Sequence, residues 1–337
     1  MNPAGQICAA ALLLCSAAAQ VTPKQQPAAV PKPPSAQKPP AEQSEQLPTF
    51  RSHVNLVNVF ATVLDRNGAP VADLQKSDFE LYEDGVRQDV AVFDRESELP
   101  LSIVLALDTS LSTRKDLPLE LASARRFVHD ILRPVDALTL YEFDEGVTEL
   151  VHFSSNLETI DRGINHVHSG TSTSLYDAVY LASQALANRH GRKVLVLITD
   201  GGDTTSSASY QDALRAAIES EALMYSIIVV PIEASAGRDT GGEHALIQLS
   251  KDTGGKYFYA IGTSQLDEAF RKIDRELRTQ YLLAYYPKPH NNYAEFRRVE
   301  VRVKQPAISE AGGGGEPGYT VRHRTGYYAY KSIRGAE

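Results

Sequence analysis

The chain has 337 residues, 42% of them apolar, and carries a net charge of −8. That length supports one large domain or two moderate ones with a sizeable core. The acidic balance excludes the basic face that a nucleic-acid binder needs.

The N-terminus reads as an export signal, expected over residues 1–19. Ile7 to Ala19 is an apolar run too short to span a bilayer comfortably, and Ala17-Ala18-Ala19 offers a small-residue cleavage site before Gln20. No Lys or Arg precedes the run. Cys15 is a candidate for lipid attachment, although Leu14 before it is bulkier than such signals use. Both cysteines, Cys8 and Cys15, fall in this leader. The mature protein is therefore expected to have no disulfide, no Cys nucleophile and no thiolate ligand. Residues 20–50 are rich in Pro, Ala, Gln and Lys and read as an extended tether. No later stretch is long and apolar enough to predict a transmembrane helix.

An N-terminal β segment is expected over 51–98. Val54 to Leu64 has a strand-like, β-branched bias, and Asn67-Gly68 supplies a turn. Phe79 to Phe93 reads as two strands about Asp84-Gly85. From residue 101 apolar runs at 101–107, 137–143, 194–199 and 223–230 predict buried strands. Asp116, with Pro118 just after it, marks the start of a helix whose apolar stripe is read as Leu117, Leu121, Ala124, Val128 and Leu132. Further helices are predicted over 175–188, 209–221, 242–251 and 264–279, and Asp144-Glu145-Gly146 suits a hairpin turn. This alternation predicts an α/β domain over 99–280, a doubly wound and mostly parallel sheet. Strands resume over 281–332, at 281–286, 297–303 and 320–323. This terminal β segment is expected to pack with the N-terminal one. Gly312 to Gly315 follows no strand-to-helix turn and reads as a loop, not a phosphate cradle.

Ligands of open α/β sheets bind at the carboxyl ends of strands. The 101–107 strand runs into Asp108-Thr-Ser110-Leu-Ser112, and the 194–199 strand into Asp200-Gly-Gly-Asp203. Gly170-Thr-Ser-Thr173 precedes a helix between them. Asp108, Ser110, Ser112, Thr173 and Asp200 supply only hydroxyl and carboxylate oxygens, a hard donor set suited to Mg²⁺, or to Mn²⁺ or Ca²⁺. Thr173 fits the spacing better than Thr171, although it could simply cap the helix that follows. Asp177 is expected in that helix's first turn, Asp203 as a solvated loop acid and Asp144 as a turn residue.

Asp108-x-Ser110-x-Ser112, then Thr173, then Asp200-Gly201, resembles the metal-ion-dependent adhesion site of von Willebrand factor type A domains. The resemblance covers roughly residues 98–280, and the β flanks look like those of a related bacterial family described from acidobacteria. It implies Ser110, Ser112 and Thr173 as direct metal ligands, with Asp108 and Asp200 often acting through water. It also implies an exported, non-enzymatic adhesion module, secreted or in the periplasm or cell envelope, whose ion is completed by an acidic residue of a protein partner. A metal-free envelope scaffold and a hydrolase are the alternatives. A haloacid-dehalogenase-type phosphotransferase needs a second Asp where Ser110 stands. Gly170-Thr171-Ser172 mimics a subtilisin-like nucleophile, yet His129, His152, His166 and His168 lack the matching context for a triad.

Overall fold

The computed structural model describes residues 56–95, 99–230, 240–288, 295–304 and 318–329. The expected signal and tether lie outside the described residues. Strands come first: β1 (Val57–Leu64), β2 (Phe79–Glu83), β3 (Val86–Gln88) and β4 (Val90–Arg95). Phe79 to Phe93 thus holds three strands, not two, because the chain breaks at Asp89 after turning at Asp84-Gly85.

The alternating region follows. It comprises β5 (Leu101–Asp108), α1 (Leu117–Ile131), β6 (Ala137–Phe143), β7 (Val147–Ser154), α2 (Leu157–Ile164), α3 (Leu175–Ala187) and β8 (Arg192–Thr199). It continues through α4 (Tyr210–Glu219), β9 (Leu223–Val229), α5 (Thr240–Asp252), β10 (Lys256–Ala260) and α6 (Thr263–Arg278). The six strands lie in the order β10-β9-β8-β5-β6-β7. All pairs are parallel except β6 with β7, which the Asp144–Gly146 turn joins as a hairpin. Every residue of β5 is buried, as expected of a central strand covered on both faces. Successive residues serve opposite cores. Ile103, Leu105 and Leu107 pack with α1, α2 and α6, whereas Val104 and Ala106 pack with α3, α4 and α5. The result is a doubly wound α/β body. The chain leaves β5 for β6 on one side and later returns to β8 on the other, so the crevice between β5 and β8 is the topological switch point.

The last strands are β11 (Tyr281–Tyr285), β12 (Phe296–Val303), β13 (Thr320–Arg322) and β14 (Gly326–Tyr328). Two four-stranded sheets, β13-β1-β11-β4 and β14-β12-β2-β3, each mix strands from both ends of the chain. Val59, Leu81, Tyr281, Leu283, Val299 and Val301 belong to their common core.

Candidate functional site

The candidate site begins with β5, which carries Asp108 to the sheet edge fully buried. The chain then turns tightly. The Ser110 amide donates to Asp108 Oδ1 at 2.9 Å, and the Thr113 hydroxyl, 3.0 Å from both the Asp108 and Ser110 carbonyls, fastens the loop. This turn places the Ser110 and Ser112 hydroxyls 3.1 Å apart. Ser110 is buried while Ser112 is exposed, so the pair runs from the interior to the surface.

The other two loops are stitched to this one. Thr199, the last residue of β8, donates its hydroxyl to Asp108 Oδ2 at 2.6 Å and accepts the Gly201 amide at 3.0 Å. The Gly170 amide donates to the Thr109 carbonyl at 2.7 Å. Thr173 is held by its backbone. Its amide donates to Thr204 Oγ1 at 2.9 Å, and its carbonyl accepts the Thr204 and Thr205 amides at 2.9 and 3.1 Å. Its hydroxyl, in a side chain only 5% exposed, has no hydrogen bond among the described residues. Asp200 is half-buried, and its Oδ1 lies 3.5 Å from the Gly202 amide. Gly201 adopts φ +103°, and a Cβ there would sit 3.3 Å from Glu243 of α5, so only glycine suits this close approach.

Asp177 stands in the first turn of α3 as expected, whereas Asp203 differs from its sequence expectation. Asp203 is no free loop acid. It accepts the Leu175 amide at 2.9 Å and the Ser206 hydroxyl, so it caps α3 from the neighbouring loop. Asp177 accepts the Ser207 and Ala208 amides at 3.0 and 2.7 Å, locking the same loop to the helix.

The electrostatics are those of a strongly anionic crevice. Burial pushes the Asp108 carboxyl up to about 6, against the lowering effect of its hydrogen bonds from Ser110 and Thr199, and the Asp200 charge adds to the rise. Sequence reading missed a second buried acid, Glu120 in the first turn of α1. It is 2% exposed, and neither carboxyl oxygen has a hydrogen-bond partner among the described residues. Burial pushes it up to about 8, with the charges of Asp108, Asp116 and Asp200 adding to the rise.

No group of three or more His, Cys, Asp or Glu side chains among the described residues is placed to hold a metal by itself. Hydroxyls would therefore have to make up the donor set. Ser110, Ser112 and Thr173 suit that need, with Asp108 and Asp200 for charge. Such a set fits a hard divalent cation and not a thiophilic one.

Residues 103–202, spanning β5 to the turn after β8, match the family model for the von Willebrand factor type A domain. The chain carries a von Willebrand factor type A domain. Solved structures with likeness to the chain include a von Willebrand factor type A protein from Catenulispora acidiphila (13% identity, TM-score 0.46, covering 82% of this chain and 75% of that one). The conserved hypothetical protein BatB from Bacteroides thetaiotaomicron is another (20% identity, TM-score 0.43, 53% of this chain and 100% of that one). So is the minor pilin PilB from Streptococcus sanguinis (14% identity, TM-score 0.44, 54% of this chain and 62% of the pilin). No curated protein matches the chain. In this type A domain the candidate residues all lie at or just beyond the carboxyl ends of β5 and β8 or on the segment entering α3.

Proposed function

We propose that the protein is an exported, non-enzymatic binding module whose type A domain holds a divalent cation, Mg²⁺ or its near equivalents Mn²⁺ and Ca²⁺. Asp108, Ser110, Ser112, Thr173 and Asp200 hold the ion. The observation that carries this reading is the paired hydroxyls of Ser110 and Ser112, 3.1 Å apart beside the buried Asp108. A cation explains why a carboxylate is kept in a pocket that penalises its charge. When bound, the ion supplies a Lewis-acidic position that stays positive because most of its donors are neutral. An Asp or Glu of a protein partner fits that position as a hard anion.

Export rests on the N-terminal signal pattern, and the site of action is the periplasm, the cell envelope or the exterior. No helix among the described residues is long and apolar enough to cross a membrane. We divide the chain into a signal (1–19), a tether (20–50), β flanks (51–98 and 281–332) and the type A domain (99–280).

Calorimetry of the full chain with MgCl₂ or MnCl₂ tests the ion. Uptake is expected in the wild type and lost in Asp108→Ala, with circular dichroism checking that the variant folds. Equal uptake by the folded variant would falsify the assignment. Capture of envelope proteins with and without chelator tests the partner mode, since captured material that ignores the chelator rules it out.

A further inference from the structure

Between β13 and β14 the chain crosses from one flanking sheet to the other over residues 323–325. The crossing is seated on the turn after α5. Thr325 donates its amide to the Asp252 carbonyl at 2.9 Å, and Arg322, just before the crossing, donates to the Gly255 carbonyl at 2.8 Å. The backbone passes so close that a Cβ on Gly254 would stand 2.5 Å from the Arg324 amide nitrogen. On the flank side runs β12. Val299 donates its amide to the Thr325 carbonyl at 2.9 Å, as in a strand ladder. Val301, two residues on, presents its amide on the same side of the strand. There the acceptor is a side chain: the Val301 amide donates to His323 Nε2 at 3.1 Å. The other ring nitrogen, Nδ1, lies 2.7 Å from the Arg324 carbonyl.

These two partners fix the protons of the ring. An amide N–H can only donate, so Nε2 must be bare. A carbonyl can only accept, so Nδ1 must carry the hydrogen. The ring is therefore neutral and in one tautomer. A second proton can go only to Nε2, where it would meet the Val301 N–H donor to donor. We propose that His323 is a pH-operated latch between the flank and the α/β body: the neutral ring fastens β12 to the crossing segment, and the protonated ring lets go of Val301. The charged groups around it come from several elements. Glu300 and Arg298 of β12, Asp84 of the β2–β3 turn and Asp252 of α5 line, with His323, a groove of about 900 Å³ that brings water to the half-buried ring. Arg324 follows His323 in the chain, and its guanidinium is turned to Glu221 of the body. Burial lowers the ring's value below the ordinary 6.5, against the raising effects of the Arg324 carbonyl and the Glu300 charge. The fold thus favours the neutral ring. Its stabilisation is present above 6.5 and is lost as pH falls from there through the lowered value.

The test is nitrogen NMR of the ¹⁵N-labelled full chain together with amide hydrogen exchange, from about pH 7.5 down to about 4.5. The wild type is expected to show the Nδ1–H tautomer at neutral pH and a His323 midpoint below 6.5. Below that midpoint, exchange over 297–304 and 319–328, corrected for the intrinsic effect of pH, is expected to rise by up to about tenfold per pH unit. His323→Gln can accept from Val301 and donate to the Arg324 carbonyl but does not titrate, so it is expected to lose this slope. The variant also separates the ring from Asp108, whose carboxyl titrates at about 6. An Nε2–H ring at neutral pH overturns the inference, and so does the same slope in wild type and variant. Should the variant fail to fold, the wild-type tautomer and midpoint still decide.

Discussion

At the scale of single residues, the site depends on side chains that bind nothing themselves. Thr199 is the clearest. Its hydroxyl donates to Asp108 Oδ2 and accepts the Gly201 amide, so it joins the ends of β5 and β8 with one oxygen. Thr199→Val keeps the shape and removes both bonds, leaving a buried carboxylate oxygen and a buried amide unpaired. The expected loss is about 2–6 kcal/mol of stability, from roughly 1–3 kcal/mol for each of the two orphaned groups. Urea unfolding would read this loss, and Mg²⁺ affinity should fall with it as Asp108 loses its orientation. A variant that unfolds at the wild-type midpoint would remove Thr199 from this role. The supporting residues were hard to read from sequence for a definite reason. Asp108, Ser110, Ser112 and Asp200 stand just beyond apolar runs, where a polar residue is conspicuous. Glu120 stands inside a helical pattern whose apolar spacing points to a stripe through Leu121 and Leu132. The buried face in fact runs through Leu117, Glu120, Ala124, Phe127 and Ile131, and Leu121 and Leu132 are only half-buried. A rotation of the stripe by one position turns an apparently solvated acid inward.

At the scale of elements, long apolar runs were legible and short mixed ones were not. The runs at 101–107, 137–143 and 194–199 form β5, β6 and β8 with ends shifted by two residues at most. Within the α/β body two elements escaped. β10, Lys-Tyr-Phe-Tyr-Ala, is an edge strand only partly buried, so it has neither a continuous apolar run nor a clean alternation. α2 is eight residues long, and its signal is limited to the Asn156 cap and the buried Ile160 and Ile164. Capping of α3 was also illegible, because the cap comes from a residue far along the chain. Ser174 makes no side-chain cap bond, and Asp203 supplies one across the crevice. Asp203→Ala is thus expected to cost about 1 kcal/mol, the usual value of a cap. It should also weaken cation uptake, since the 200–206 loop fixes the backbone of Thr173. Parallel denaturation and calorimetry would separate the two effects. A stability loss with unchanged ion affinity would show that Thr173 is held without the cap.

At the scale of the whole molecule, the strands that precede the α/β body and those that follow it close on each other beside it. β11 lies between β1 and β4, and β12 between β14 and β2, so neither flanking sheet exists without both segments. Between the sheets sits Glu83, fully buried. It is bonded by Arg297 at 2.8 Å, the Tyr285 hydroxyl at 2.6 Å and the Tyr327 hydroxyl at 2.9 Å. Three partners drawn from β11, β12 and β14 thus converge on one carboxylate from β2. Removing it strands a guanidinium that is mostly buried, and breaking a buried pair in this way costs about 3–5 kcal/mol. The flanks also touch the α/β body through polar contacts, including Arg322 with Glu276 and Arg324 with Glu221, but they have an apolar core of their own. Separate cores favour separate opening. Glu83→Ala is therefore expected to raise amide hydrogen exchange across residues 57–95 and 281–328 while residues 101–229 keep their protection and the type A domain keeps its ion. Exchange rising equally in both regions would mean that the molecule opens as one unit, and that the flanks are part of what holds the cation site together.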